Sequence, residues 1–190
     1  MAKMELRLAG SGGQGVILAT VILAEAAVIA GKQTAQSQSY GPEARGGSCK
    51  AEVIISDEAI GFTKVQHPTF LMALTQKALE TYCHNLPEEC IVLIDDTLTA
   101  PEELKGHNVI KLPILSTAAE KVGKAFTANI VAVGAINGLL HLVDHADLEK
   151  AVMLHIPKGT EALNLAALQA GIAMEGDVKK PAKAAKKAKV

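Results

Sequence analysis

Residues Ala9–Val16 read AGSGGQGV, and this stretch decides how the N-terminal part of the chain folds. Four of its eight residues are glycine. The preceding residues, Met4–Gly10, alternate apolar and charged side chains, which indicates a β-strand. Residues 14–30 are rich in Ala, Leu and Ile, lack proline and stop at Gly31, which is typical of a largely buried helix with a glycine cap. The stretch is therefore predicted to be a turn between a strand and a helix.

The glycine-rich turn has a backbone that an anion could approach. Gly10, Gly12 and Gly15 satisfy G-x-G-x-x-G, in which backbone N–H groups and a helix N-terminus face a phosphate. A dinucleotide site also needs an acidic residue about twenty positions later, but residues 32–41 contain neither Asp nor Glu. A Walker loop needs Lys after the last glycine, where Val16 stands. A bound phosphate or other ligand, a contact with a partner subunit and a tight packing turn remain as alternatives.

A second stretch, SQSYGPEARGG (Ser37–Gly47), combines a Gly-Pro turn with Glu43, Arg45 and two further glycines. The Arg45 guanidinium could hold a carboxylate or phosphate through two hydrogen bonds. The alternative is a local pair between Glu43 and Arg45 on a solvated loop. The flanking segments alternate polar and apolar residues, which predicts a long antiparallel hairpin or a looped-out excursion.

The rest of the chain predicts a single α/β domain with a mixed sheet flanked by helices, entered through the glycine-rich strand-turn-helix. Periodicity predicts helices over 68–83, 129–143, 146–156 and 159–171, and strands over 90–95 and 108–114. The domain is predicted to span residues 1–176. Residues 177–190 are predicted to be a disordered Lys/Ala-rich tail.

Composition limits the function classes. The 190 residues are 49% hydrophobic but 3% aromatic, which predicts an aliphatic core. Six lysines fall within 179–190, whereas the other 178 residues carry 13 basic and 20 acidic side chains. This acidic body argues against a nucleic-acid-binding surface. The longest apolar run, Val16–Ala30, is interrupted by Glu25 and is too short to span a bilayer, so no membrane partner is expected.

Cysteine usage predicts a reducing cytoplasm, because Cys49, Cys83 and Cys90 are odd in number and form no CxxC pair. His141 and His145 lie four positions apart, but no third ligand accompanies them, so we expect no metal site.

Other polar and small residues have structural interpretations. Asp95 and Asp96 close a predicted buried strand and are expected to act in a loop or cap. Gly134 and Gly138 form a G-x-x-x-G pattern that predicts close packing of backbone on backbone.

Both glycine-containing stretches together resemble one family. GSGGQGV, followed some 25 residues later by SYGPEARGGSCKAEVIIS, is similar to the gamma subunit or domain of 2-oxoacid:ferredoxin oxidoreductases. ANIVAVGAINGLL (Ala128–Leu140) and the C-terminal KGTEALNLAALQAG extend the resemblance, which covers about residues 4–173. The sequence YGPEARGG is most similar to the corresponding loop in the family branches that act on 2-oxoglutarate and on branched-chain 2-oxoacids, and 2-oxoglutarate is favoured as the substrate.

The resemblance implies a subunit of an enzyme that oxidatively decarboxylates a 2-oxoacid to an acyl-CoA, succinyl-CoA for 2-oxoglutarate, and reduces ferredoxin. Thiamine diphosphate and Fe–S clusters would be held by the alpha, beta and, where present, delta subunits, and ferredoxin would be reached through the complex. This chain would hold no cofactor alone and supply no catalytic residue. The alternatives are the 2-oxoisovalerate or pyruvate branch, or a free-standing nucleotide-binding α/β oxidoreductase.

Ten positions carried over from the resemblance are assigned to ligand (CoA) or subunit contact rather than to bond-making. They are Gly10, Gly12, Gly13, Gln14, Gly15, Tyr40, Glu43, Arg45, Gly46 and Gly47.

Overall fold

The structure is a computed structural model that describes residues 3–39 and 48–178. These residues form one six-stranded sheet with helices packed against it. The strands are β1 (Met4–Ser11), β2 (Gln33–Gln38), β3 (Ser48–Ser56), β4 (Phe70–Ala73), β5 (Ile91–Asp95) and β6 (Asn108–Leu112). The helices are α1 (Val16–Ile29), α2 (Gln76–Tyr82), α3 (Ile114–Ser116), α4 (Ala128–Leu140), α5 (His145–His155) and α6 (Glu161–Ala173). Short 3-10 turns span Glu102–Leu104, Ala125–Thr127 and Met174–Asp177, and a π-helical turn spans Thr117–Lys121.

The sheet is mixed, as predicted. Its strand order is β2-β3-β1-β4-β5-β6. The strands β1, β4, β5 and β6 run parallel to one another, and β3 is antiparallel to both β1 and β2. The predicted antiparallel hairpin is confirmed, because β2 and β3 pair from Gln33 opposite Ser56 to Gln38 opposite Ala51. The loop that joins them, residues 40–47, lies outside the described residues.

The helix predicted over 68–83 is wrong in its first half. Phe70–Ala73 is the strand β4, which lies between β1 and β5, and the helix α2 begins only at Gln76. The four residues of β4 are fully buried, and a short, continuous apolar run has no period that separates a strand from a helix. Thr75 marks the true helix start, because its side-chain oxygen accepts a hydrogen bond from the backbone N–H of Ala78 at 3.3 Å.

Alternate residues of β4 build the two faces of the core. Phe70 and Met72 join the large cluster that α1, α4, α5 and α6 cover, whereas Leu71 and Ala73 join the smaller cluster beneath α2. Successive strand residues point to opposite faces, so a sheet covered on both faces needs continuous apolar strands. The core is aliphatic except for Phe70 among its largest fully buried side chains.

Helices α4 and α6 pack backbone against backbone, as the G-x-x-x-G pattern predicts. A Cβ atom added at Gly134 would overlap the carbonyl oxygen of Leu168, and one added at Gly171 would overlap that of Val131. Only glycine permits this approach, because the atoms that it meets belong to the backbone and have no rotamer to change. The helix α6 continues past Gly171 to Ala173, two residues beyond the predicted end.

None of the described helices combines the length and the apolar character that a bilayer crossing requires. Residues 179–190, most of the predicted tail, lie outside the described part of the chain.

Candidate functional site

The glycine-rich turn closes on itself through Gln14. The backbone N–H of Ser11 donates to the side-chain oxygen of Gln14 at 2.7 Å, and the backbone N–H of Gln14 donates to the carbonyl oxygen of Ser11 at 3.3 Å. The Gln14 side chain thereby lies over Gly10, where an added Cβ would be 2.6 Å from its oxygen. Gly12 and Gly13 remain exposed at the tip of the turn.

Helix α1 begins with an unneutralised N-terminus. Gly15 occupies the N-cap position in a left-handed conformation, with a φ of +69°, so the helix has no side-chain cap. Its first turn contains no acidic residue. Backbone N–H groups and the helix dipole favour an anion at such an end.

A second helix N-terminus meets this one. Asn129, near the start of α4, is only 6% exposed, and its side-chain nitrogen would lie 2.6 Å from a Cβ atom added at Gly15. A side-chain amide can donate hydrogen bonds to an anion, so the position of Asn129 beside Gly15 suits it to a ligand at the turn. Sequence reasoning missed Asn129, although a lone polar residue in the first turn of an apolar helix was the available signal.

The described residues that flank the second predicted stretch lie at the same end of the sheet as the glycine-rich turn. In the β1–β3 pairing, Ser11 lies opposite Ser48, the first described residue after the second stretch. Helix α2 fixes that point, since Thr81 and Ser48 share a hydrogen bond of 3.2 Å between their hydroxyl groups, and the Tyr82 hydroxyl donates to the Ser48 carbonyl oxygen at 3.4 Å. Tyr40, Glu43, Arg45, Gly46 and Gly47 themselves lie outside the described residues.

The topology does not support a dinucleotide site at the turn. In a dinucleotide-binding unit, the helix after the turn leads to a parallel neighbouring strand whose end carries the acidic residue. Here α1 leads to β2, which is separated from β1 by β3 and is antiparallel to β3. The residues of β2, QTAQSQ, include no acid. The missing acidic residue in the sequence and the position of β2 in the sheet therefore both argue against a dinucleotide site.

An ion pair lies on the strands that support the turn. The Arg7 guanidinium donates to the Glu52 carboxylate at 2.7 Å across the β1–β3 ladder. The Lys50 ammonium lies 3.3 Å from the same carboxylate oxygen and 5.7 Å from the centre of the Tyr82 ring. Two cations share one carboxylate here, so a net positive charge remains at the base of the site and adds to the field of the backbone N–H groups at its tip.

Asp95 has the structural role that the sequence predicts. It is fully buried at the end of β5. One carboxylate oxygen accepts hydrogen bonds from the backbone N–H and hydroxyl of Thr97 at 3.2 and 2.5 Å, and the other accepts the Leu115 N–H at 2.8 Å. Asp95 therefore ties β5 to the start of α3, whereas its neighbour Asp96 is exposed.

His141 and His145 belong to no group of three metal-binding side chains among the described residues. His141 ends α4 in a left-handed conformation with its ring nitrogen 3.3 Å from the Glu175 carboxylate. His145 is the first residue of α5.

All three cysteines are within the described ranges, and no disulfide links them. Burial, together with the hydrogen bond to the Glu103 carboxylate, raises the pKa of the Cys83 thiol from 9.0 to about 11. Burial also raises the pKa of the Cys90 thiol to about 11. Both thiols are therefore protonated at neutral pH.

Comparisons with known proteins agree with this fold. The family described as pyruvate ferredoxin/flavodoxin oxidoreductase matches residues 5–174. The 2-oxoglutarate synthase subunit KorC of Methanocaldococcus jannaschii is 44% identical over 172 residues, which cover 89% of this chain and 92% of that protein. The ketoisovalerate oxidoreductase subunit VorA of Methanothermobacter thermautotrophicus is 34% identical over 89% of this chain, but the match covers 36% of VorA. The solved gamma subunit of a keto/oxoacid ferredoxin oxidoreductase from Geobacter sulfurreducens is 42% identical, with a TM-score of 0.81 over 92% of this chain and 99% of that one. The chain therefore belongs to the pyruvate ferredoxin/flavodoxin oxidoreductase family.

Proposed function

We propose that this chain is the gamma subunit of a 2-oxoglutarate:ferredoxin oxidoreductase, an assembly that converts 2-oxoglutarate and CoA to succinyl-CoA and CO₂ while it reduces ferredoxin. The observation that carries the proposal is the 44% identity to a 2-oxoglutarate synthase subunit over nearly the full length of both chains. The match to the ketoisovalerate enzyme covers 36% of that protein, against 92% of the 2-oxoglutarate synthase subunit, and this difference in coverage favours 2-oxoglutarate over a branched-chain acid.

Partner subunits supply the redox cofactors in this proposal. An Fe–S cluster is held by four thiolates, and this chain has three cysteines in all. Cys83 and Cys90 are buried in the small core cluster beneath α2, and Cys49 lies on β3. We therefore assign the clusters and the thiamine diphosphate to the alpha, beta and, where present, delta subunits, and ferredoxin to the assembled complex. The cytoplasm is the proposed compartment.

This chain contributes an anion-binding turn that takes a phosphate of CoA. The N–H groups at the start of α1 donate to the phosphate, and the glycines at the tip let it approach the backbone. The buried carboxamide of Asn129 supplies a further donor beside Gly15. Tyr40, Glu43, Arg45, Gly46 and Gly47 follow β2 and precede Ser48, which lies opposite Ser11, so we assign them to the same ligand or to a partner subunit.

The chemistry of this turn is binding and positioning. A neutral turn of backbone donors holds a phosphate without transferring a proton, since its amides do not titrate in the working pH range. Catalysis in the assembly gains from a CoA whose thiol end is directed by a fixed phosphate end. No bond-making role is assigned to this chain.

The assembly and its substrate are tested by co-expression with the partner subunits and assay of CoA-dependent electron-acceptor reduction. We expect activity with 2-oxoglutarate well above that with 2-oxoisovalerate or pyruvate. A complex that prefers either alternative acid would overturn the substrate, and an isolated chain that oxidises a 2-oxoacid alone would overturn the subunit role.

The anion site is tested separately in the same complex through Asn129→Ala. Loss of a hydrogen bond to a charged group costs about 1.5–3 kcal/mol, which is roughly a tenfold or larger rise in the KM for CoA, with the KM for 2-oxoglutarate unchanged. Asn164→Ala is the control, because Asn164 is equally buried on α6 but bonds to Thr160. Unchanged CoA kinetics in Asn129→Ala, Arg45→Ala and Gly12→Ala would instead make the turn a packing or subunit contact.

The rival function, a free-standing nucleotide-binding oxidoreductase, predicts that the lone chain retains NAD or FAD. The strand order argues against it, as described above. Calorimetric titration of the full chain with each nucleotide gives the direct answer, and we expect no binding heat.

A further inference from the structure

Three side chains that bind metals in proteins meet at the end of α2. Cys83 is the C-cap residue of α2 and His84 follows it, while Glu103 lies in the 3-10 turn after β5. The Glu103 carboxylate oxygen is 3.3 Å from the Cys83 sulfur and 2.8 Å from the His84 Nδ1 atom. All three donor atoms lie within 4.8 Å of one another.

His107 lies on the wall of the same cavity, although its ring nitrogens are not within 4.8 Å of all three of these donor atoms. Both of its ring nitrogens are buried, and neither has a hydrogen-bond partner among the described residues. The ring lines an open cavity of about 340 Å³ together with Cys83, His84 and Glu103. A buried imidazole nitrogen without a partner is costly, and coordination to a metal would satisfy it.

The donor set selects the class of metal. Thiolate and imidazole are ligands of zinc and of neighbouring first-row metals, whereas magnesium and calcium prefer oxygen alone. Zinc lies about 2.0–2.3 Å from such ligands, so donors in a tetrahedral shell are separated by roughly 3.3–3.8 Å. The sulfur–carboxylate distance of 3.3 Å already fits. The His84–Glu103 distance must open by less than an ångström, and both side chains are about half exposed and can move.

The geometry points to a zinc-type divalent metal site formed by Cys83, His84 and Glu103, with His107 on the same cavity as a fourth ligand once its ring moves towards the other three donors. This site differs from the sequence-based expectation of no metal. The sequence did not predict it, because the donors are separated by up to 24 positions and their spacing matches no metal-binding motif. The site would cross-link the end of α2 to the segment between β5 and β6. It is independent of the proposed function.

The test is a titration of the metal-free full chain with Co²⁺, which reports thiolate coordination by a near-ultraviolet charge-transfer band and tetrahedral geometry by intense visible bands. We expect one Co²⁺ per chain, displaced by one Zn²⁺. Cys83→Ala should abolish the charge-transfer band, and Glu103→Gln and His107→Gln should each weaken binding at least tenfold.

The chain supplies matched controls for each variant. Cys90→Ala removes another buried cysteine, and Glu102→Gln alters the exposed neighbour of Glu103; both should bind Co²⁺ like the wild type. Glu103 is exposed, so its variant is expected to fold, which far-ultraviolet circular dichroism verifies. The proposal is overturned if the wild type shows no charge-transfer band, or if Cys83→Ala or Glu103→Gln binds as tightly as the controls. Unchanged affinity in His107→Gln would overturn the four-donor site.

Discussion

Gly171→Ala is the substitution for which the structure gives the sharpest expectation. An alanine normally stabilises a helix interior relative to glycine by about 1 kcal/mol. At Gly171, however, the new Cβ would overlap the carbonyl oxygen of Val131 and lie 2.9 Å from the backbone nitrogen of Ala135. Neither atom can move without displacing α4.

The magnitude follows from the balance of these two effects. Overpacking a tight interior costs about 1–3 kcal/mol, sometimes more, and backbone contacts place this site at the upper end. After the gain in helix propensity, we expect the free energy of unfolding to fall by about 2 kcal/mol. For a domain of this size, that corresponds to a fall in Tm of roughly 4–8 °C.

The assay is urea unfolding followed by far-ultraviolet circular dichroism, with the m-value checked for constancy. Gly138→Ala is a graded control, since its Cβ would be 3.1 Å from the Ile172 carbonyl oxygen, and we expect almost no net change. Gly61→Ala has open surroundings and should change stability by less than about 0.5 kcal/mol. The reasoning is refuted if Gly171→Ala is as stable as the wild type or more stable, because helix propensity would then dominate.

Three further predictions concern buried polar groups. Asp95→Asn should lower the free energy of unfolding by about 1–3 kcal/mol, because an amide nitrogen cannot accept the hydrogen bonds that the carboxylate receives. Asp96→Asn, at an exposed position, should leave the free energy of unfolding unchanged. Equal effects of the two substitutions in urea unfolding would contradict the structural role of Asp95. Burial alone would raise the pKa of Glu5, but hydrogen bonds from Lys3 and from the N–H groups of His67 and Gln66 hold this pKa below 4.5. The contribution of Glu5 to stability is therefore present above pH 4.5 and lost as the pH falls through the lower pKa of the folded state. Glu5→Gln should therefore weaken the dependence of the free energy of unfolding on pH in that acidic range, as measured by urea unfolding at several pH values. In the metal-free folded chain, the pKa values of Cys83 and Cys90 rise from 9.0 to about 11, so their contribution to stability is complete below pH 9 and lost as the pH rises towards 11. Iodoacetamide should accordingly modify both thiols of the metal-free chain slowly at pH 8, and fast modification of either thiol would show that its burial is wrong.

Local sequence patterns predicted much of this structure, whereas features that depend on contacts between residues distant in sequence were not predicted. The strand before Gly10, the helix after Gly15 and the packing of Gly134 followed from periodicity and from the special properties of glycine. The strand β4 did not, because a four-residue apolar run is defined as a strand only by β1 and β5 on either side. In the same way, Asn129 reaches Gly15 only through the fold, over more than a hundred positions.

The position of β1 has a consequence for how the chain is made. Residues up to Ser56 complete β1, α1, β2 and β3, which pair through the β1–β3 and β2–β3 ladders, so this unit can assemble while the remainder is still being synthesised. Its second edge, along Leu6–Ala9, then stays bare until Phe70–Ala73 emerges from the ribosome and pairs with it. An exposed strand edge at that stage invites pairing with a neighbouring nascent chain. The short interval of thirteen residues between β3 and β4 limits the time for which that edge is available, and lengthening it should increase aggregation during synthesis more than it lowers the stability of the finished fold.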